Sequence, residues 1–247
     1  MRRTSIAAII LGSLGLCGLH QAAHAHDAWL AKVHGEYHVM WGHDPSKSDP
    51  YKPGDVTEAR AIKNGASQSL TIMRADKFAR MDAGDANVVS ATMLNGFRAR
   101  TADGKYHGLT KAEAAKLGEV QSSAYRTRFM VVYTNDREEP KSLGYELELI
   151  PQFNPSKAKK GDVVPVQVLY KGQPLANATI NDNALSRHSH KIQTDAQGKA
   201  NLTVANEGHN AWSVRHSVPY PDPQKADTYS YSSVVTFFSH TAGHGHH

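Results

Sequence analysis

The residue with the most chemistry in reach is His26, because of what precedes it. Arg2 and Arg3 are positively charged, residues 6–19 (IAAIILGSLGLCGL) are apolar or small, and Ala23 and Ala25 stand three and one positions before His26. A bilayer span needs roughly 20 apolar residues. This shorter run fits a secretory signal cleaved after Ala25. A lipid anchor at Cys17 fits less well, since Leu16 occupies the position where a small residue is wanted, and Thr4-Ser5-Ile6 does not continue a twin-arginine motif. Cut after Ala25, the chain would begin at His26, whose α-amine and imidazole can close a chelate on one metal ion. With reference pKa values of about 7.7–8.0 and about 6.5, both can be neutral donors near neutral pH.

A hairpin supplies a third nitrogen. Residues 28–33 and 37–41 are short apolar or alternating runs around His34-Gly35-Glu36, the pattern of two strands and a tight turn. With Gly35-Glu36 as the two-residue turn, Val33 pairs with His38, Leu30 with Trp41 and Ala28 with His43. Side chains alternate faces, so His26 shares a face with Trp41 and His43. His26 and His43 then become diagonal neighbours, about 7–8 Å apart at Cα. The expected metal ligands are His26 and His43, with Asp27 as an added oxygen donor and His38, on the opposite face, as a second-rank ligand. His188 and His190 are further candidates, two residues apart on one side of an expected strand. For them, as for His209 (expected in a turn) and His216, an ordinary structural role competes. The tail His244-Gly245-His246-His247 offers only loose binding.

Composition narrows the chemistry further. The chain of 247 residues has 15 histidines and one cysteine, and that cysteine lies in the signal segment. Disulfide scaffolds, thiolate zinc sites, iron–sulfur clusters and thiol catalysis are therefore excluded. A net charge of +5 permits nucleic-acid binding, but no basic block exceeds a dipeptide, so no nucleic-acid partner is expected. No G-x-S-x-G, H-E-x-x-H, P-loop or G-x-G-x-x-G motif occurs, and no catalytic residue is assigned. No second apolar run follows the signal, so the mature chain is not expected to be an integral membrane protein.

The elements that must position these residues read as mainly β, in two β-rich domains with one short helix in the first. Residues 1–25 form the signal peptide, 26–143 the first domain, 144–240 the second and 241–247 a His-rich tail. Strands are expected at 57–62, 69–73, 88–93, 97–101 and 127–133. A helix is expected at 111–117, opened by a Thr110/Glu113 capping box and stopped by Gly118. The polar stretch 134–143 reads as the boundary. Seven strands follow, at 145–150, 163–170, 178–181, 191–194, 200–204, 211–215 and 229–238, as in an immunoglobulin- or transthyretin-like β-sandwich. Without a Cys…Trp…Cys pattern, an antibody-type domain is excluded.

His26-Asp27-Ala28-Trp29-Leu30, Met40-Trp41-Gly42-His43 and Tyr51-Lys52-Pro53, with the later run 144–151, Gly172-Gln173-Pro174-Leu175 and Thr194-Asp195-Ala196-Gln197-Gly198, resemble a family of bacterial periplasmic proteins. That family is catalogued largely as a domain of unknown function and is associated with nickel and cobalt uptake. Residues 75–87 and the His-rich tail depart from it. The resemblance implies a periplasmic metal-handling protein, with His26 and His43 at the family's histidine positions. Its expected partners are a divalent ion and a membrane metal transporter or outer-membrane receptor. Nitrogen ligation suits nickel, cobalt, copper or zinc. Raw affinity favours copper, so it is the resemblance that puts nickel and cobalt first. Two other classes compete: a histidine-brace copper protein, either carrier or monooxygenase, and a carbohydrate- or partner-binding sandwich with incidental histidines. The monooxygenase reading lacks a flat aromatic surface in the sequence.

Overall fold

Strands β1 (Asp27–Val33) and β2 (Glu36–Gly42) form the expected hairpin, in a different register. The pairs run from Val33↔Glu36 to Asp27↔Gly42, so the turn is His34-Gly35. Both turn residues have positive φ, 49° and 92°. That is the requirement of the type I′ turn, whose twist matches the flanking strands. Glu36 is thereby free of the turn and forms an ion pair with Arg80. The shift is two residues, so the grouping of side chains by face is preserved.

The computed structural model describes residues 26–42, 44–75, 77–186 and 188–240. Residues 1–25, expected as a signal segment, His43 and the tail 241–247 lie outside the described residues. After the hairpin come β3 (Val56–Lys63), β4 (Ala66–Ser69), β5 (Met73–Arg74), β6 (Ala79–Met81), β7 (Val88–Thr101), β8 (Tyr106–His107), helix α1 (Lys111–Ala114) and β9 (Val120–Tyr133). Then follow β10 (Leu147–Pro151), β11 (Val163–Tyr170), β12 (Gln173–Pro174), β13 (Thr179–Asn181), β14 (Lys191–Gln193), β15 (Lys199–Thr203), β16 (Gly208–Pro219) and β17 (Thr228–Ser239). The described residues are mainly β, with one short α-helix. The Thr110/Glu113 capping box forms, but the helix stops at Ala114. Two expected strands, 88–93 and 97–101, are one strand of 14 residues, with its register shifted between Leu94 and Gly96 rather than broken. A bulge absorbs the extra residue and bends the strand without ending it.

Three sheets stack. A nine-stranded sheet, β14-β13-β16-β17-β9-β7-β3-β4 with β8 beside β7, lies in the middle. On one face β10, β11 and β15 bury Leu147, Val164, Val166 and Leu202 against Phe129, Trp212, Val235 and Phe237. On the other the small sheet β1-β2-β6-β5 buries Leu30, Val39 and Met81 against Val89, Met93, Met130 and Val132. Strand alternation divides the two cores: Phe129 and Tyr133 point one way, Met130 and Val132 the other. The central sheet takes strands from both sides of residue 143, since β9 and β17 pair in parallel. The polar stretch 134–143 is tied down between layers. Glu138 is buried and accepts from Gly65 N and Asn87 Nδ2 at 2.8 and 3.2 Å.

The small sheet fixes the start of the described chain. Ala28, Trp29 and Leu30 are all buried, so β1 has contacts on both faces. Trp29 packs with Leu185, Ala211 and Val234, and Thr236 Oγ1 donates to Leu30 O at 3.3 Å. Full burial of residues such as Leu30 and Val39 contributes about 1.5–3 kcal/mol each. His26 therefore projects from a rigid strand.

His38 packs against the Phe78 ring, His209 against Phe238 and His216 against Tyr170. Burial pushes all three below the ordinary histidine value. A group whose folded pKa is depressed is neutral in the fold, while the unfolded chain still takes up protons below about 6.5. Stability is accordingly expected to fall as pH drops from about 6.5 towards 5. Urea midpoints at several pH values check this. The slope should flatten in His209→Gln, and a midpoint that holds or rises over this window contradicts it.

Candidate metal centre

His26 stands at the open end of the hairpin, stacked face to face on Trp41, with ring centroids 5.6 Å apart and planes 4° apart. Its Nε2 lies 3.2 Å from Asp49 Oδ2. The side chains of His26 and Asp49 are 45% and 43% exposed, so this pair adds little to stability. Its value is orientation.

Asp49 comes from a loop that folds back along β2. Asp49 N donates to Trp41 O at 2.7 Å, and Trp41 N donates to Ser48 Oγ at 3.1 Å. Tyr51 clamps the loop from below. Its hydroxyl donates to Val39 O at 2.8 Å and accepts from Ala79 N at 2.7 Å, and burial pushes its pKa up to about 12. Gly42 makes room for the carboxylate. Its φ is 137°, and a Cβ there would lie 2.8 Å from Asp49 Oδ2.

Beneath Trp41 lies a buried charge. The Arg128 guanidinium sits 4.5 Å from the indole, which makes a layered stack of His26, Trp41 and Arg128. Arg128 Nε donates to Asn95 Oδ1 at 2.7 Å, and Nη1 donates to Ser232 Oγ at 3.2 Å. Asp27 Oδ1 lies 3.9 Å from Arg128 Nη1 and accepts from Arg215 Nη2 at 2.5 Å. The side chains of Arg128 and Asp27 are 6% and 8% exposed. Burial pulls the Arg128 pKa down to about 9, opposed by Asp27 and aided by Arg215, Arg126 and Arg98. Arg128 is still protonated at neutral pH.

The expected ligands thus separate. Asp27 is committed to two arginines and ties the chain start to β9 and β16. His38 lies on the other face of the hairpin, as expected. His188 and His190 precede β14 in irregular chain rather than on a strand, and His190 Nδ1 lies 3.0 Å from Asp182 Oδ2. His209, expected in a turn, lies in β16. Among the described residues no three His, Cys, Asp or Glu side chains form a metal-ligand group. Asp49 escapes sequence reasoning because its approach to His26 depends on a loop closure that no spacing encodes. A cavity of about 930 Å³ lies elsewhere, lined by Leu30, Met40, Leu185, His209 and Phe238, without His26. A row of aromatic rings, Phe97, Tyr125, Tyr220, Tyr229 and Tyr231, lies elsewhere, with Phe97 set edge-on to Tyr125 rather than in a flat surface. Tyr125 and Tyr229 alternate with Arg126 and Arg128, so this row lies on the opposite sheet face from Arg128.

A family model described as a domain of unknown function, DUF4198, matches residues 23–218. The chain belongs to the DUF4198 family. The match takes in the hairpin, the Asp49 loop and the arginines beneath Trp41, and it ends within β16. The DUF4198 description carries no activity. No curated protein matches the chain. Among the described residues no helix is long and apolar enough to cross a membrane.

Proposed function

We propose that the protein is a periplasmic binder of a divalent transition metal, nickel or cobalt first, which it holds through a mature N-terminus at His26. The observation that supports this best is the carboxylate of Asp49 on His26 Nε2. Metal-ligating histidines commonly give their second ring nitrogen to a carboxylate, which fixes the ring and raises its basicity. With Nε2 turned to Asp49, Nδ1 is the nitrogen that can close a chelate with the α-amine exposed by cleavage after Ala25. His43 supplies the third nitrogen in this reading. In sequence His26 precedes Asp27 and His43 follows Gly42, the pair at which the hairpin ladder ends. Asp27 anchors the chain start and is not a ligand here. Nickel and cobalt come first on the resemblance of the chain start; copper and zinc suit the same donors. The partner that receives the ion would be a membrane transporter or receptor.

Asp49→Asn is the direct test of the ring's orientation. In chain that begins at His26, with the tail histidines replaced by alanine, calorimetric titration should show nickel affinity lowered about 10–100-fold. Thermal stability should change little, because the pair is half exposed. Unchanged affinity contradicts the role given to Asp49.

A further inference from the structure

The arginines beneath Trp41 belong to a larger arrangement. Arg126 and Arg128 of β9 point to the same face of the central sheet as Ser230 and Ser232, their register partners on β17. Arg215 of β16 is the antiparallel partner of Ser232. The small serines form the floor of a trough and the longer arginines its walls, around a cavity of about 100 Å³. Arg98, on β7, stands near the same group and acts electrostatically on both Arg126 and Arg128.

Charge is unbalanced there. Asp27 serves Arg128 and Arg215, and Asp55 lies 3.8 Å from Arg98. Among the described residues, four guanidinium groups thus face two carboxylates. Arg126 is half-buried and lies 5.8 Å from the Tyr106 ring. Among the described residues no carboxylate is within ion-pair distance of it. Burying cationic groups without matching anions is costly, and an arginine presents five donors in a fork that suits planar or tetrahedral oxyanions. At roughly 30 Å³ per water, the cavity holds about three waters, the size of one oxyanion group and no larger body.

We propose that this trough binds a small oxyanion, a carboxylate or phosphate group, on Arg126 and Arg128 with the Ser230 and Ser232 hydroxyls beneath it. The site stands on its own geometry and needs no metal at His26. It has a consequence for the metal reading all the same. A divalent cation above Trp41 would face the arginine excess, and a bound oxyanion screens that repulsion. Metal and anion are therefore expected to strengthen each other's binding.

The test uses metal-free full-length mature protein at low ionic strength, titrated separately with inorganic phosphate and with citrate. Saturable binding of either at one equivalent is expected, and which one binds identifies the source of the group. Arg126→Gln should weaken it about tenfold or more, as expected for a lost charge-assisted hydrogen bond. Ser230→Leu, which fills the trough and leaves every charge in place, should weaken it comparably; it also reports if Arg126→Gln does not fold. No saturable binding of either anion overturns the proposal, and so does wild-type affinity in Ser230→Leu, which would mean diffuse charge attraction. Because these titrations contain no metal, their outcome is separate from that of the metal site.

Discussion

A chain carrying one extra residue ahead of His26 is expected to bind nickel(II) more than about 100-fold more weakly than the chain that begins there. The extra residue converts the α-amine into an amide, which is not a donor at neutral pH, and leaves the imidazole, Trp41 and Asp49 untouched. Partners that merely orient a ligand are worth about 10–100-fold, so loss of a direct ligand must exceed that. His26→Ala removes the other half of the chelate and should do at least as much. Affinity should also weaken as pH falls towards 6, because protons compete for nitrogen donors. Calorimetric titration of the three proteins, tail histidines replaced, is the measurement. Equal affinity in all three contradicts a terminal site.

The largest effect on stability is expected at Asp27. Asp27→Ala leaves Arg128 buried with its carboxylate gone, and removing one partner of a buried pair costs about 3–5 kcal/mol. At roughly 2–4 °C per kcal/mol for a chain of this size, Tm should drop by about 6–20 °C. The double variant Asp27→Ala/Arg128→Met should recover part of the loss, since it removes the stranded charge together with its partner. A single-variant cost under about 1 kcal/mol contradicts the account. So does a double variant that is less stable than Asp27→Ala.

The sequence yields local features and misses closures. Alternation and turn residues find β11 at its observed bounds, and the capping box at Thr110 forms as read, because both signals are contained in a few neighbouring residues. Gly35 marks the hairpin, but the choice of His34 as the second left-handed residue shifts the register by two. In the observed turn both His34 and Gly35 are left-handed, and Glu36, outside it, forms an ion pair with Arg80. The parallel pairing of β9 with β17 joins residues about a hundred positions apart, which no periodicity reports. At the candidate site, the expected cleavage and the hairpin pattern both point to His26. Asp27, expected as an added metal donor, is instead the partner of Arg128 and Arg215, which its position in the sequence does not reveal. Asp49 and the arginine trough depend on loop closure and sheet register, and so emerge only in three dimensions.

The central claim is that cleavage makes His26 a terminal metal ligand. N-terminal sequencing of the exported protein, with elemental analysis of the same sample after tail-histidine replacement, tests it most directly. The account predicts a chain that begins His-Asp-Ala-Trp-Leu and carries one equivalent of a divalent transition metal. A chain that begins at any other residue, or one that begins at His26 and takes up no metal when offered nickel, cobalt, copper or zinc, contradicts it.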